Sequence, residues 1–355
     1  MFGRLFKTLS KDIAIDLGTS HTLIFVADKG VVVNEASIVA VNTKTDQILS
    51  VGEEAARMVG KVPPHIIISK PLVDGVISDF EITEKMLKYF MDKINRQQFG
   101  FFGRPRVVVG IPLDVTEVEK KAVEDSVVSA GAKDVYMVEN IIANAIGARL
   151  PIQDASGNMI VCIGGGLTEI AVISLSGVVA WKSIRMAGED MNQDIVNFAR
   201  NEFKIIIGER VAEQAKIDLS RATEAESPMS SHELKLQGRD LVSGLPKEIT
   251  VSGQQILQTL ERSVKTIIDN IKDTLELTPP ELIADIYKRG IVLTGGGSLL
   301  NGLSEAIMKA TKIPVKVIED PTTCGVRGMG IILSDESLLK EVTIPSSSKE
   351  DGFIR

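Results

Sequence analysis

Two stretches of this chain repeat one another. Residues 13–26 read IAIDLGTSHTLIFV and residues 160–173 read IVCIGGGLTEIAVI; with Gly18 over Gly164, Asp16 falls over Cys162, Thr22 over Thr168 and Ile24 over Ile170. Each stretch is an alternating apolar run, a glycine turn and a second run, the pattern of a β-hairpin. Either one alone would be a turn between strands and no more. Two in matching register imply a duplicated domain. A facing pair of glycine turns can close backbone N–H groups on a polyphosphate. A third turn, TGGGS at residues 294–298, strengthens the pattern. The first copy ends its first strand in a carboxylate, Asp16, suited to face a phosphate-bound Mg2+. By the chain's own symmetry, residue 162 should carry a second acid. It carries a thiol, Cys162.

The remaining pattern alternates strands and helices. RVVVGIP at 106–112 reads as a buried strand, and Asp114 with Glu117 as a capping-box-like start to a helix ending near Ser129. KRGIVLTGGG is a strand entering the third turn, with a helix following from about Leu299. Val264, Ile268, Ile271 and Leu275 recur at helical spacing and give a long helix one apolar face. Residues 223–253 are richer in Ser, Gly and charge and read as a peripheral, loop-rich insertion. This alternation predicts α/β architecture, mixed sheets flanked by helices.

Composition narrows the function. The chain has 355 residues, enough for two domains, and is 44% hydrophobic with only 4% aromatics, so its core is mostly aliphatic. A net charge of −7 supplies no bulk positive field for a nucleic-acid backbone. Two cysteines, Cys162 and Cys324, fit a reducing cytoplasm, and His21, His65 and His232 follow no metal-ligand spacing. No apolar run approaches the length of a membrane span, and the first residues lack the apolar core of a signal peptide. They do carry another pattern. Phe2, Leu5, Phe6 and Leu9 fall at i, i+3, i+4 and i+7, amid Arg4, Lys7 and Lys11, a short basic amphipathic helix suited to an anionic membrane. Phe99, Phe101 and Phe102, flanked by arginines, form a second membrane candidate. For both, packing onto the protein body is the competing reading.

The ordered blocks IDLGTSHTL, KPLVDGVISDFE, TEVEKKAVEDSVVSAGAKDVYMVEN, IGERVAEQAKI and GIVLTGGGSLLNGL resemble the actin superfamily, and within it the bacterial MreB family, over nearly the whole chain. The resemblance implies an actin-like fold of two duplicated domains, and four subdomains around an ATP cleft. Residues 1–33, 71–145 and 318–355 would form subdomain IA and residues 34–70 subdomain IB. Residues 146–186 and 244–317 would form IIA, and 187–243 IIB. It implies ATP and Mg2+ as cofactors, self-assembly into paired filaments at the cytoplasmic face of the inner membrane, contact with paralogues, and a role in cell shape, or in motility in a wall-less cell. Gly18, Thr19, Ser20 and His21 would form the first phosphate loop and Gly164, Gly165 and Gly166 the second. Glu213 and Lys216 would meet ribose and adenine, their spacing placing both on one helix face; without the resemblance they would read as an exposed ion pair. Gly295, Gly296, Gly297 and Ser298 would form the adenosine turn.

The family pattern also marks what this chain lacks. MreB proteins read Asp and Thr around the second glycine turn, where Cys162 and Leu167 stand here, and Glu at the helix start occupied by Asn140. The metal position is thus left to Asp16, through water, with Cys162 a poor substitute for a hard cation. Asn140 and Leu167 are the degenerate catalytic positions: an amide can hold a water but accepts no proton, and Leu167 does neither. The expected protein binds ATP and hydrolyses it slowly. Two other functions of the superfamily compete. A sugar kinase would need a carboxylate base over a hydroxyl, for which no motif is found. A chaperone ATPase would need a peptide-binding domain, for which little chain follows Gly330.

Overall fold

The computed structural model describes residues 12–97, 104–221 and 232–345. Phe2, Leu5, Phe6, Leu9, Phe99, Phe101 and Phe102 lie outside the described residues. The internal repeat is real and larger than the hairpins. In the first half, Ile13–Leu17, His21–Val26 and Gly30–Ala36 form an antiparallel meander. Arg106–Ile111 joins Ile13–Leu17 in parallel, Asp134–Glu139 joins that, and Thr343–Ile344 closes the edge of a six-stranded sheet. In the second half, Asn158–Ile163, Thr168–Ser174 and Gly177–Ile184 form the same meander, with Ile291–Thr294 and Val315–Val317 added in parallel. Register is repeated as well. Ile13 opposes Val107 and Met159 opposes Ile291; Asp16 opposes Leu23 and Cys162 opposes Glu169.

Helices cover these sheets, so the central strands are apolar on both faces and rich in Val and Ile, which suit a pleated surface packed from both sides. Three cores result. One lies under each sheet's outer face. The third is shared: Ala14, Leu23 and Val108 from the first sheet and Ile160, Ala171 and Ile173 from the second meet around the helices Asn140–Gly147 and Cys324–Ser334. Those two helices cross at glycines. A Cβ on Gly328 would meet the Ala143 carbonyl, and one on Gly147 the Cys324 carbonyl. The Cys324 thiol also donates to the Asn144 carbonyl at 3.1 Å.

Several local expectations shift. The helix Glu117–Ser129 ends where expected but is capped two residues later, by Thr116 and Glu119: the Thr116 side chain accepts from the Glu119 N–H at 3.3 Å, and the Glu119 carboxylate from the Thr116 N–H at 2.7 Å. The segment read as a loop-rich insertion contains a hairpin, Glu233–Asp240 and Pro246–Ser252, which joins Ile205–Ile206 in a three-stranded sheet. Its inward residues are Leu234, Leu236, Ile249 and Val251. The third glycine turn runs into a 3-10 turn, Gly296–Leu299, and the α-helix begins at Leu303. The helix Gly253–Glu276 buries Ile256, Leu260, Ile267 and Ile271, with Val264, Ile268 and Leu275 flanking that stripe.

The crossing of the two shared helices generates the first expectation. Gly328→Ala should lower stability by about 1–3 kcal/mol, the usual cost of forcing a methyl into a packed contact. Denaturant titration checks it; an unchanged midpoint would mean that the crossing tolerates separation.

Candidate functional site

The two hairpin turns are built alike. The Gly18 N–H donates to the His21 carbonyl at 3.1 Å and the Gly164 N–H to the Leu167 carbonyl at 2.9 Å, so His21 and Leu167 occupy equivalent positions. The first turn is braced from outside: the Ser37 hydroxyl donates to the Gly18 carbonyl at 2.6 Å, and the Ser37 N–H to the Ser20 carbonyl at 2.9 Å. The second is braced by the start of the helix Gly188–Phe203. The Gly188 N–H donates to the Gly164 carbonyl at 3.1 Å and the Glu189 N–H to the Gly165 carbonyl at 2.7 Å.

Those bonds occupy the carbonyls and leave the donors. The N–H groups of Thr19, Ser20, Gly165 and Gly166 make no hydrogen bond to another described residue. The turns also face each other. A Cβ on Gly166 would come within 2.8 Å of Thr19 Oγ1 and 3.0 Å of the Asp74 nitrogen, and one on Gly165 would meet Ser20. Backbone donors converge on one cleft, and only glycine leaves the space open.

The other expected residues border this cleft. Glu213 and Lys216 pair at 2.9 Å, and the Lys216 ammonium also donates to the Gly188 carbonyl at 2.8 Å. Asn192 holds the same Glu213 oxygen at 2.5 Å. His21 lies across from Glu213; the crowded cleft wall pushes its imidazole below the ordinary range, while Glu213, Glu53 and Glu35 pull the other way. In the third turn, Gly295 adopts a φ of +78°, and Gly295 and Gly297 pack on Ile163 at the end of the second hairpin's first strand. The Ser298 hydroxyl is spent on the Gly295 carbonyl at 2.6 Å, so Ser298 shapes this turn. A Cβ on Gly296 would come no closer than 3.7 Å to Thr322.

The structure also shows the surroundings of Cys162, Asp16, Leu167 and Asn140. Burial pushes the Cys162 thiol well above the ordinary range, against a hydrogen bond with Thr294, so it stands as a neutral SH. Burial pushes Asp16 up to about 6. Leu167 packs toward the Gly75 turn beside Pro112. Asn140 opens the crossing helix, its Oδ1 buried against Gly110 without a hydrogen-bond partner. Among the described residues, no cluster of three His, Cys, Asp or Glu side chains could hold a metal ion.

Two features escaped the sequence reading. Glu169, cross-strand partner of Cys162, is 3% exposed and accepts the Leu113 N–H of the other half at 2.9 Å. Burial pushes its carboxyl up to about 8, against that N–H, with Asp114, Glu139 and Asp16 adding to the rise. The visible signal was an acid inside the apolar run TEIAVI. The second is Lys70, which reaches across the cleft to Glu209 at 2.8 Å and Glu189 at 3.1 Å. Burial works against its charge, but those two carboxylates hold its pKa above the ordinary value.

The profile of the MreB/Mbl protein family matches residues 10–341. The chain belongs to the MreB/Mbl family. It is 46% identical over 327 residues to the cell shape-determining protein Mbl of Bacillus subtilis (strain 168), covering 92% of this chain and 96% of that one. It is 42% identical over 325 residues to the cell shape-determining protein MreB of Escherichia coli (strain K12), covering 90% and 92%. Among solved structures, MreB5 of Spiroplasma citri bound to ADP superposes with a TM-score of 0.86 at 34% identity, covering 94% of this chain and 98% of that one. The fold is therefore actin-like, and the chain is one of the actin-like cell-shape proteins, not a sugar kinase.

Glu169 gives the site a pH signature. An unfolded Glu titrates at about 4.3, so the folded protein binds the extra proton between there and about 8, and stability falls as pH rises through that window. Glu169→Gln keeps an acceptor for the Leu113 N–H and should flatten the fall, leaving the part below about 6 that Asp16 contributes. Denaturation midpoints at pH 5 and pH 8.5 compare the two; parallel slopes would remove Glu169 as the cause.

Proposed function

We propose that this MreB/Mbl-family chain binds ATP between its two glycine turns, self-assembles into filaments at the inner membrane surface, and hydrolyses ATP slowly. The observation that carries the reading is the set of unpartnered N–H groups at Thr19, Ser20, Gly165 and Gly166, gathered on one cleft. Backbone donors beside a helix N-terminus favour phosphate. MreB5 of Spiroplasma citri, with ADP or AMPPNP bound, supports nucleotide binding by analogy.

In this reading the turns hold the phosphates, Glu213 and Lys216 face the ribose, and residues 295–298 back the adenosine. Asp16 would hold Mg2+ through water, and the ion would supply charge neutralisation at the phosphates. The fit to Mg2+ rests on that single carboxylate, because Cys162 stays a neutral thiol. Slow hydrolysis follows from what the side chains can do. Asn140 accepts no proton, and Leu167 fills its position with hydrocarbon. Paired filaments and mixed assembly with paralogues belong to the same proposal.

The test restores the family residues as Asn140→Glu, Leu167→Thr and Cys162→Asp. Loss of a base or water-positioning group commonly costs about 10²–10⁴ in rate, so phosphate release should rise clearly in the triple variant while ATP affinity by calorimetry changes little. Gly165→Val serves as the binding-deficient control, since its side chain meets Ser20. A wild-type rate equal to that of the triple variant would mean that other residues supply the chemistry. Equal affinity in Gly165→Val would remove the cleft as the binding site.

The membrane part rests on Phe2, Leu5, Phe6 and Leu9, with Phe99, Phe101 and Phe102 as a second contact; no helix among the described residues is long and apolar enough to cross a bilayer. Deleting residues 1–9 should reduce flotation with anionic liposomes. If neither that deletion nor Phe101→Ser with Phe102→Ser changes flotation, the protein does not use these segments for membranes.

A further inference from the structure

An apolar hollow lies where the core shared by the two halves meets the second half's own core. It encloses about 310 Å³ and is lined by Leu150, Pro151, Met159 and Val292. Leu150 packs on the shared core, and Met159 belongs to the other. A cavity of about 150 Å³ holds a benzene ring, so this hollow has room for two large apolar side chains. One side of it is positive. Arg289 and Asn158 border it, Arg289 Nη1 donating to Asn158 Oδ1 at 2.9 Å, and Lys288 precedes Arg289 in the last turn of the helix Pro280–Arg289. Among the described residues neither cation makes an ion pair. The hollow therefore fits an apolar pair flanked by acids.

The chain carries such a sequence outside the described residues. Residues 346–355 read SSSKEDGFIR, in which Glu350 and Asp351 stand just before Phe353 and Ile354. They continue from a point close to the hollow. The strand Thr343–Ile344 pairs with Asp134–Glu139 at the sheet edge, and Pro345 is the next residue. In the preceding helix, Glu336–Val342, Leu338 and Val342 pack on the same shared core as Leu150. Glu341 of that helix accepts from Gln153 Nε2 at 2.9 Å, two residues beyond Pro151. From Pro345 to Phe353 the chain reaches up to about 26 Å. A segment tethered this near its site acts at an effective concentration on the order of millimolar, so a modest contact holds it. Residues 1–11 are another apolar stretch that joins the fold nearby, since Asp12 pairs with Arg106, which also reaches Glu336. They carry Arg4, Lys7 and Lys11 and no acid, so Lys288 and Arg289 repel them.

We propose that residues 350–354 fold back onto this hollow within the same chain, Phe353 and Ile354 filling it and Glu350 and Asp351 facing Lys288 and Arg289. Docked there, the segment straps the edge strand of the first sheet to the second half and seals the place where their cores meet. The dock makes no use of the glycine turns and stands apart from the nucleotide reading.

The test uses the full-length protein carrying Pro151→Cys and Gly352→Cys. Mild oxidation should give a disulfide within one molecule, read by mass mapping, at a rate independent of protein concentration and absent from either single variant. Adding Phe353→Ser and Ile354→Ser should slow its formation by about tenfold or more, the factor lost with one well-buried apolar contact. Adding Glu350→Lys and Asp351→Lys instead should also slow it, and Arg289→Glu on top of those two should recover part of the rate. No disulfide, a rate that rises with protein concentration, or a rate indifferent to the serines or to the charge reversal would overturn the dock. A concentration-dependent product would mean that a second copy supplies the segment. If the cysteine pair does not fold, judged by its thermal midpoint, hydrogen exchange decides. Amides of residues 148–152 and 290–292 should then exchange faster in Phe353→Ser with Ile354→Ser than in wild type, and equal exchange overturns the dock.

Discussion

The two halves of this molecule share a core built around two helices that cross at glycines. Asn140–Gly147 and Cys324–Ser334 meet where Gly147 and Gly328 let one backbone rest on the other, and a Cβ on Gly325 would meet the Asn144 side chain. The close approach lets these helices pack with Ala14 and Ala171 of the two sheets in one shared core, with Val326 among them. The two glycine turns stand at the ends of strands in those sheets. Asp16 lies against it too, its carboxylate 3.2 Å from where a Cβ on Gly325 would stand.

The cleft separates two kinds of work. Its donors are backbone N–H groups and depend on turn geometry, which both hairpins keep. Its side chains are where the halves differ: a carboxylate at Asp16 against a thiol at Cys162, an imidazole at His21 against a hydrocarbon at Leu167. In the proposed reading, binding and chemistry rest on different parts, so one can decay while the other is kept. Across the cleft mouth, Lys70 links the halves by charge; at its floor, Glu169 links them through one N–H.

How much of this was legible depends on distance along the chain. The hairpins were readable because a two-residue period and a glycine turn are local, and the register followed from the repeat. The helix at 117–129 was found but its cap misplaced, because Asp114 and Thr116 are both capping residues and only the fold chooses between them. The hairpin at 233–252 was hidden by its polar outer face, although Leu234 and Leu236 alternate as a strand should. Lys70 could not be paired from sequence, since its partners lie 119 and 139 residues away. Glu169 was visible as a residue but not as a buried one; its hydrogen-bond partner, the Leu113 N–H, lies in the other half.

The shared core says something about how such a chain could arise. A protein with only one half would leave the face bearing Ala14, Leu23 and Val108 open to water. It could cover that face with a second copy related by a two-fold axis. In such a dimer, any change at one glycine turn would appear at the other as well. Joining the halves in one chain removes that bond between the copies. Only then can an acid persist at residue 16 while a thiol takes residue 162.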